Sequence, residues 1–216
     1  MNISKQGEII PIFPTPIVRA NIGRYFTKKE HQLFLTDIPM WKDEQRGMFN
    51  HQSKDFYLFD SHADILGDVK KFCEHELKRY LENIEGVDTD LAGLRITQSW
   101  LNKTKPGEHH HPHCHPNSYI SAVLYIKCLP NDSINFENQM FGIFTNMDFP
   151  KKKTTQFNTQ RGSITVEEGN LLIFPSWIPH SVDVNETKDK ERISFSFNTF
   201  PIGEFGICES ANHLKL

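Results

Sequence analysis

The sequence predicts a mainly β protein, a jelly-roll barrel supported by N-terminal helices. Three observations predict this fold. Helical periodicity is confined to the first 90 residues, alternating strand patterns follow from about Leu91, and a histidine-rich run lies among the strands. We expect a single domain over residues 1–216, with an N-terminal segment and helices in 1–90 and the barrel strands in 91–200.

The composition limits the classes of function. The 216 residues, 38% of them hydrophobic, can bury a core without disulfides or a structural metal, so a bound metal would serve chemistry. A net charge of −3 argues against a nucleic-acid partner. The four cysteines form no C-x-x-C pair, and neither a signal-peptide pattern nor a membrane-spanning apolar stretch is visible. We therefore expect a reduced, cytoplasmic protein without a membrane partner.

The first 90 residues contain one extended segment and two helical patterns. Prolines in "IIPIFPTPIVRANI" place that segment at a sheet edge, and "TKKEHQLFL" predicts a short helix. A long helix should begin at a capping box of Ser61 and Asp64 and end at Gly86. Its buried stripe is predicted as Ile65, Val69, Phe72, Cys73, Leu77, Tyr80, Leu81 and Ile84.

Alternating patterns predict the barrel strands. "SYISAVLYIK" and "RISFSFNTF" alternate cleanly, and "GSITVEEGNLLIFPSW" reads as two strands joined at a Glu-Gly-Asn turn. In "LRITQSWLN", one face should carry Leu94, Ile96, Gln98 and Trp100. We expect Gln98, Trp100 and Asn102 to point towards a cavity. The polar stretch from Asn131 to Arg161 is long for a connection, so it is predicted to be a lid or binding loop, with Phe136, Phe141 and Phe144 as cover or as packing anchors.

The run "HHHPHCHPNS", residues 109–118, indicates a metal site. His113 and His115 are one residue apart, so on an extended segment both side chains share a face. His111 is the nearest rival, although Pro112 interrupts the strand there. A third ligand is expected from His180 in "IFPSWIPHSVDV". The alternatives are a polar loop enriched in histidine and a structural histidine beside Trp177.

Arg192 opens "RISFSFNTF" on the polar face of that strand. A guanidinium buried there needs an anion, and its planar fork suits a carboxylate. Ser194 points the same way and adds a hydroxyl donor. The alternative is an exposed arginine on an edge strand.

Together these segments resemble the Fe(II)/2-oxoglutarate-dependent oxygenase superfamily, and more narrowly a group of small oxygenases from bacteria and phages. The similar segments follow one another in order over most of the chain: "IFPTP" at Ile12–Pro16, "SWLN" at Ser99–Asn102, "HPHCHP" at His111–Pro116, "FPSWIPHSV" at Phe174–Val182 and "ERISFSFN" at Glu191–Asn198.

The resemblance implies a double-stranded β-helix that binds Fe(II) through its histidines, His113, His115 and His180. Arg192 and Ser194 would bind the distal carboxylate of 2-oxoglutarate, and Tyr125 matches a position that also reaches this co-substrate. The implied reaction uses O2 to hydroxylate a small molecule or a protein side chain while 2-oxoglutarate is decarboxylated to succinate. Homodimers are a further expectation.

One position departs from the superfamily pattern. In most members the first motif is His-x-Asp or His-x-Glu, whereas this sequence has His115 at the position of the carboxylate. Asp183 or Glu108 could supply the missing carboxylate, but neither has the expected spacing.

Two other readings stay open. A cupin would match Gly107 followed by His-x-His, and Gly169 followed by Pro175 and His180. Such a protein would be a metal-binding enzyme or binding protein without 2-oxoglutarate, and would have no need of Arg192 with Ser194. A non-catalytic jelly roll with a zinc or nickel site is the third reading.

Overall fold

The computed structural model describes residues 14–139, 150–206 and 211–216. The helices are α1 (Lys28–Gln32), α2 (Leu58–Ser61) and α3 (Ala63–Tyr80), with π-helical turns at Leu33–Asp37 and Leu81–Glu85 and a 3-10 turn at Glu44–Arg46. The strands are β1 (Val18–Asn21), β2 (Met40–Trp41), β3 (His51–Ser53), β4 (Ala92–Thr104), β5 (His110–His113), β6 (Ile120–Lys127), β7 (Ser133–Glu137), β8 (Arg161–Thr165), β9 (Asn170–Pro175), β10 (His180–Val182), β11 (Arg192–Phe205) and β12 (Leu214–Lys215).

Two antiparallel sheets form the jelly roll. The larger has the order β1-β9-β6-β11-β4-β3-β2, with β12 beside β11, and the smaller has the order β5-β10-β7-β8. The inner core between them joins Val123 and Tyr125 of β6 to Ile134 and Phe136 of β7. The predicted barrel is confirmed. In the described part of the chain, no helix has the length and apolar character needed to cross a membrane.

The helices cover the outer face of the larger sheet. Phe195 of β11 packs against Phe34 and Phe59, with ring centroids 5.7 and 4.7 Å away. Ile193 and Phe197 share this face, as the alternation in "RISFSFNTF" predicts. The opposite face of β11, which begins at Arg192, is therefore left for the barrel interior.

The N-terminal predictions are partly correct. Val18–Asn21 pairs with β9 at the sheet edge, and α1 begins at a capping box of Thr27 and Glu30. The predicted Ser61–Asp64 capping box is wrong because Ser61 ends α2, and α3 starts after His62 without a side-chain cap. The prediction that Ile84 is buried is also wrong. Its side chain is 45% exposed because the helix widens into the π-helical turn before Gly86.

A bulge in β4 changes which residues face the barrel interior. Asn198 pairs with Gln98 and Thr199 pairs with Ile96, so Thr97 is an extra residue. One inserted residue moves the following side chains to the opposite face. Leu94 and Ile96 pack against the helices, whereas Trp100 lies beside His115, with ring centroids 5.7 Å apart. The prediction that Leu94, Ile96, Gln98 and Trp100 share one face is therefore wrong.

The polar stretch from Asn131 to Arg161 is not one continuous loop, because it contains β7. Phe136 on β7 is buried and packs against Phe174 at a ring distance of 5.1 Å, so it is a packing anchor. Phe141 and Phe144 lie outside the described residues.

Candidate metal centre

Three histidines converge at the barrel mouth. His113 ends β5, His180 begins β10, and these two residues are paired across the strands. His115 follows β5 by two residues. One nitrogen from each of the three rings lies within 4.8 Å of the others, and this is the one such group of potential ligands found among the described residues. The three predicted ligands are thus brought together.

Each ring is oriented by a hydrogen bond at Nδ1. In His113 this atom faces the carbonyl of His111 at 2.8 Å, and in His180 it faces the carbonyl of Ile178 at 3.1 Å. A carbonyl oxygen only accepts, so both rings carry their proton on Nδ1. Both Nε2 atoms therefore keep a lone pair for a metal.

His115 has the same arrangement with side-chain partners. Its Nδ1 lies 2.6 Å from Oδ1 of Asn198 and 2.8 Å from Oγ of Ser121. Ser121 itself donates to Oδ1 of Asn198 at 2.9 Å. Because an amide oxygen only accepts, His115 also carries its proton on Nδ1. Asn198 and Ser121 lie on β11 and β6, so the larger sheet orients this ligand.

The other histidines of the run, His109, His110 and His111, lie outside the cluster. His110 stacks on His113 at a ring distance of 4.1 Å, and His109 stacks on Phe49 at 4.6 Å. His111 contributes its backbone carbonyl to His113 rather than a ring nitrogen to the cluster.

Burial keeps the clustered imidazoles neutral. Desolvation, followed by the repulsion from neighbouring imidazoles, lowers the pKa of His180 to about 3. Desolvation is also the largest cause that lowers the pKa of His113 to about 4, and it lowers the pKa of His115. Neutral imidazole is the form that binds a metal, so the site needs to lose no proton at neutral pH.

These pKa values predict acid-sensitive stability of the metal-free protein. In the unfolded chain the imidazoles titrate near 6.5, whereas folded His113 and His180 titrate at about 4 and about 3. As the pH falls below 6.5, the unfolded chain binds protons at these imidazoles whereas the folded chain does not. The free energy of unfolding therefore decreases until the pH is below the pKa values of the folded state. Thermal unfolding of metal-free protein between pH 7 and 4 measures this decrease, and His113→Phe/His180→Phe should flatten it. An equal slope in the variant would contradict the expectation.

The described residues add no carboxylate to the cluster. Asp183 forms an ion pair with Arg161 and accepts a hydrogen bond from Asn135. Glu108 accepts from Lys42 at 3.1 Å and faces His51, and it also accepts from the backbone of Lys105. Both candidates for the missing carboxylate are therefore engaged elsewhere, and the three candidate ligands are all imidazoles.

Arg192 is buried, with 3% of its surface exposed, so the reading of an exposed edge arginine is wrong. Its anion comes from within the chain. Nε donates to Asp132 Oδ2 at 2.7 Å, and Nη2 pairs with the other oxygen of Asp132 and donates to the carbonyl of Ser133. Nη1 is buried and has no hydrogen-bond partner. The guanidinium thus keeps one free edge for a further acceptor.

Ser194 and Tyr125 lie beside this arginine. They face each other across β11 and β6, and Arg192 is two residues from Ser194 on the same side of β11. The charge of Arg192 acts on Tyr125, although burial dominates and raises the pKa of the phenol well above its ordinary value. Both side chains are at least nine-tenths buried. The structure therefore groups the three predicted co-substrate residues.

Sequence reasoning missed three residues of this site. Asn198 and Ser121 orient His115, and Asp132 pairs with Arg192. The alternation of "RISFSFN" and "SYISAVLYIK" placed polar residues on the inner face, which was the available signal for the first two. Asp132 precedes β7, a strand that was not predicted, so no pattern pointed to it.

A comparison with protein families covers the part of the chain that contains these residues. A family model described as "Putative 2OG-Fe(II) oxygenase" matches residues 98–198, a stretch that contains the three histidines, Arg192, Ser194 and Tyr125. No curated protein sequence matches the chain.

Solved structures of low sequence identity have the same fold. A 2OG-Fe(II) oxygenase family oxidoreductase from Burkholderia pseudomallei is 12% identical, with a TM-score of 0.53 over 85% of this chain and 83% of that chain. The alpha ketoglutarate dependent epimerase SnoN from nogalamycin biosynthesis is 12% identical, with a TM-score of 0.55 over 91% and 81%. HygX from Streptomyces hygroscopicus, solved with nickel, 2-oxoglutarate and hygromycin B, is 12% identical, with a TM-score of 0.53 over 86% and 82%.

Proposed function

We propose that this chain is an enzyme of the 2OG-Fe(II) oxygenase family that hydroxylates an organic substrate while decarboxylating 2-oxoglutarate to succinate. The match of the family model to residues 98–198 supports this proposal. The observation that carries the proposal is the set of three neutral imidazoles with Nδ1 engaged and Nε2 free. This donor set fits a divalent transition metal, because imidazole is a ligand that iron accepts and because neutral rings need no deprotonation.

In the proposed site His113, His115 and His180 hold Fe(II). When bound, iron and 2-oxoglutarate together supply the O2-dependent oxidation of a C–H bond. The chain's own contribution is to fix the ligands. The carbonyls of His111 and Ile178 hold two rings, and Asn198 holds the third.

Arg192, Ser194 and Tyr125 hold the distal carboxylate of 2-oxoglutarate in this proposal. The unpaired Nη1 of Arg192 supports it, since a buried donor without a partner costs about 1–3 kcal/mol. Ser194, which is buried and lies two residues from Arg192 on the same side of β11, supports it as well. Asp132 fixes the guanidinium through its Nε and Nη2 atoms, so the remaining edge is pre-oriented.

Apolar rings restrict water around the ligands. Phe174 packs against His180 with ring centroids 4.7 Å apart, and Phe136 lies 6.1 Å from the same ring. Trp100 covers the side of His115. A dry surrounding strengthens the hydrogen bonds that position the rings and protects a reactive oxidant from side reactions.

An anaerobic titration of metal-free protein with Fe(II) and then 2-oxoglutarate tests the proposal. We expect a weak visible charge-transfer band that requires both additions. Ser194→Ala should raise the concentration of 2-oxoglutarate needed for half of the band by about 2- to 10-fold, as expected for one hydrogen bond. Ser181→Ala, a change on β10 next to His180, is the matched control and should leave it unaltered. Stoichiometric metal binding without any band would contradict the co-substrate assignment.

A metal-binding barrel that does not use 2-oxoglutarate is the second candidate function. Two observations favour it: the described residues complete no facial triad with a carboxylate, and Arg192 already has an internal anion in Asp132. This cupin-like function predicts metal binding by the same three histidines with no spectral response to 2-oxoglutarate. The titration above therefore separates the two candidates.

A further inference from the structure

A row of inward-facing side chains crosses the edge of the larger sheet beside the metal centre. By strand register Trp41 of β2 faces Gln52 of β3, Gln52 faces Asn102 of β4, and Asn102 faces Ser194 of β11. Residues directly opposite each other lie on the same face of a sheet. Since Ser194 faces Tyr125, a member of the inner core, the row continues the inner face of the barrel.

Four polar atoms at this edge are buried and unpaired. The donors are Nε1 of Trp41, Nε1 of Trp100 and Nδ2 of Asn50, and the acceptor is Oδ1 of Asn102. The exposed fractions of Asn50, Trp100 and Asn102 are 2%, 8% and 7%. Asn102 uses its own amide nitrogen to donate to Ser196 at 3.0 Å, which fixes the direction of its free oxygen.

Unpaired buried groups are rare in native proteins and need a reason. Each unpaired group destabilises the folded protein by about 1–3 kcal/mol. Four of them at one edge therefore indicate that a bound ligand forms hydrogen bonds with them. Their position points to the substrate, because the Trp100 ring lies beside that of His115, with ring centroids 5.7 Å apart.

The balance of donors and acceptors selects the chemistry of that ligand. None of the four groups carries a formal charge, and the ammonium of the nearby Lys42 is paired with Glu108. A carboxylate has no N–H for Asn102, and none of the four groups is a cation that could pair with its charge. A sugar brings a donor with every hydroxyl, whereas one acceptor is available. An amide carbonyl accepts from two N–H groups, and the amide N–H donates to Asn102.

Building on the proposed function, we propose that the face formed by Trp41, Asn50, Trp100 and Asn102 binds an uncharged amide segment of the substrate, as in an acylated amino acid or a peptide. Trp100 and Asn102 are about 7 Å apart along the strand, and Trp41 and Asn102 are about 10 Å apart across two strand spacings. Such distances suit two consecutive amide groups. These four are specificity-determining residues and take no part in metal binding.

Indole N–H resonances test this assignment without turnover. The chain has three tryptophans, and Trp177, which is 58% exposed, is the internal control. In 15N-labelled protein with Zn(II) and 2-oxoglutarate, N-acetylalaninamide should shift the Trp41 and Trp100 signals saturably and leave Trp177 in place. N-acetylalanine, which keeps the acetyl amide but has a carboxylate in place of the second amide, should shift these two signals only at higher concentrations. Trp41→Phe, Trp100→Phe and Trp177→Phe assign the signals.

The variants also give a quantitative outcome. Trp41→Phe and Trp100→Phe each remove one donor and keep an aromatic ring. Each should therefore lower the affinity for the amide probe by about 2- to 10-fold, whereas Trp177→Phe should leave that affinity unaltered. Saturable binding of the acid instead of the amide, equal shifts of all three signals, or no saturable shift with either probe would each overturn the proposal. This experiment uses zinc in place of iron and measures no turnover. Its failure would therefore contradict the amide assignment alone, and the titration with Fe(II) and 2-oxoglutarate would still test the proposed function.

Discussion

Replacing His180 by alanine is expected to abolish Fe(II) binding at micromolar metal and with it every spectral response to 2-oxoglutarate. The loss should exceed the roughly 10- to 100-fold that follows from removing a ligand's hydrogen-bond partner, because a ligand itself is removed. His180 is 4% exposed, and its ligand atom lies within 4.8 Å of those of both other histidines, so its replacement removes one of the three imidazoles of the cluster. Anaerobic calorimetry with Fe(II) measures the change.

His109→Ala is the matched control for this prediction. His109 belongs to the same run, but it stacks on Phe49 and lies outside the cluster. Its removal should leave the metal affinity within a factor of about two, as expected for a residue that makes no contact with the ligands. Unaltered Fe(II) affinity in His180→Ala, or an equal loss in His109→Ala, would refute the assignment of ligands.

Replacing Arg192 by alanine should lower the stability of the fold as strongly as any substitution in the barrel. Asp132 is 5% exposed and would remain as a buried carboxylate without its cation. Removing one partner of a buried ion pair costs about 3–5 kcal/mol. For a chain of this size each kcal/mol lowers Tm by about 2–4 °C, so a decrease of about 6–20 °C is expected in thermal unfolding.

The double variant Arg192→Met/Asp132→Asn separates stability from co-substrate binding. It removes both charges and keeps similar volumes, so most of the lost Tm should return. Its Fe(II) affinity should persist, whereas the response to 2-oxoglutarate should not. An equally low Tm in the single and the double variant would show that the pair is not what stabilises this end of the barrel.

The convergence of the three candidate ligands could be predicted because their signal is local. His113 and His115 follow from spacing on an extended segment, and the cross-strand partner His180 follows from a second short segment. The inner and outer faces of β6 and β11 were also predictable, since an uninterrupted period of two leaves no ambiguity.

Other features depend on partners far away in the chain. The extra residue Thr97 in β4 has no marker of its own, and it is recognised only from the pairing with β11. The strands β2 and β3 are two and three residues long, too short for an alternating pattern. Asp132 becomes a partner of Arg192 only once β7 and β11 have been brought together. Such long-range pairings cannot be read from composition or periodicity.

The hydrogen bonds of the three candidate ligands divide them into two that are oriented locally and one that is oriented by a distant residue. His113 and His180 are each held by the carbonyl two residues earlier, so their orientation is encoded within their own short segments. His115 is held by Asn198, 83 positions away. Grafting both segments onto a different barrel would therefore transfer two correctly aimed ligands, and the third would need an asparagine supplied by the new host.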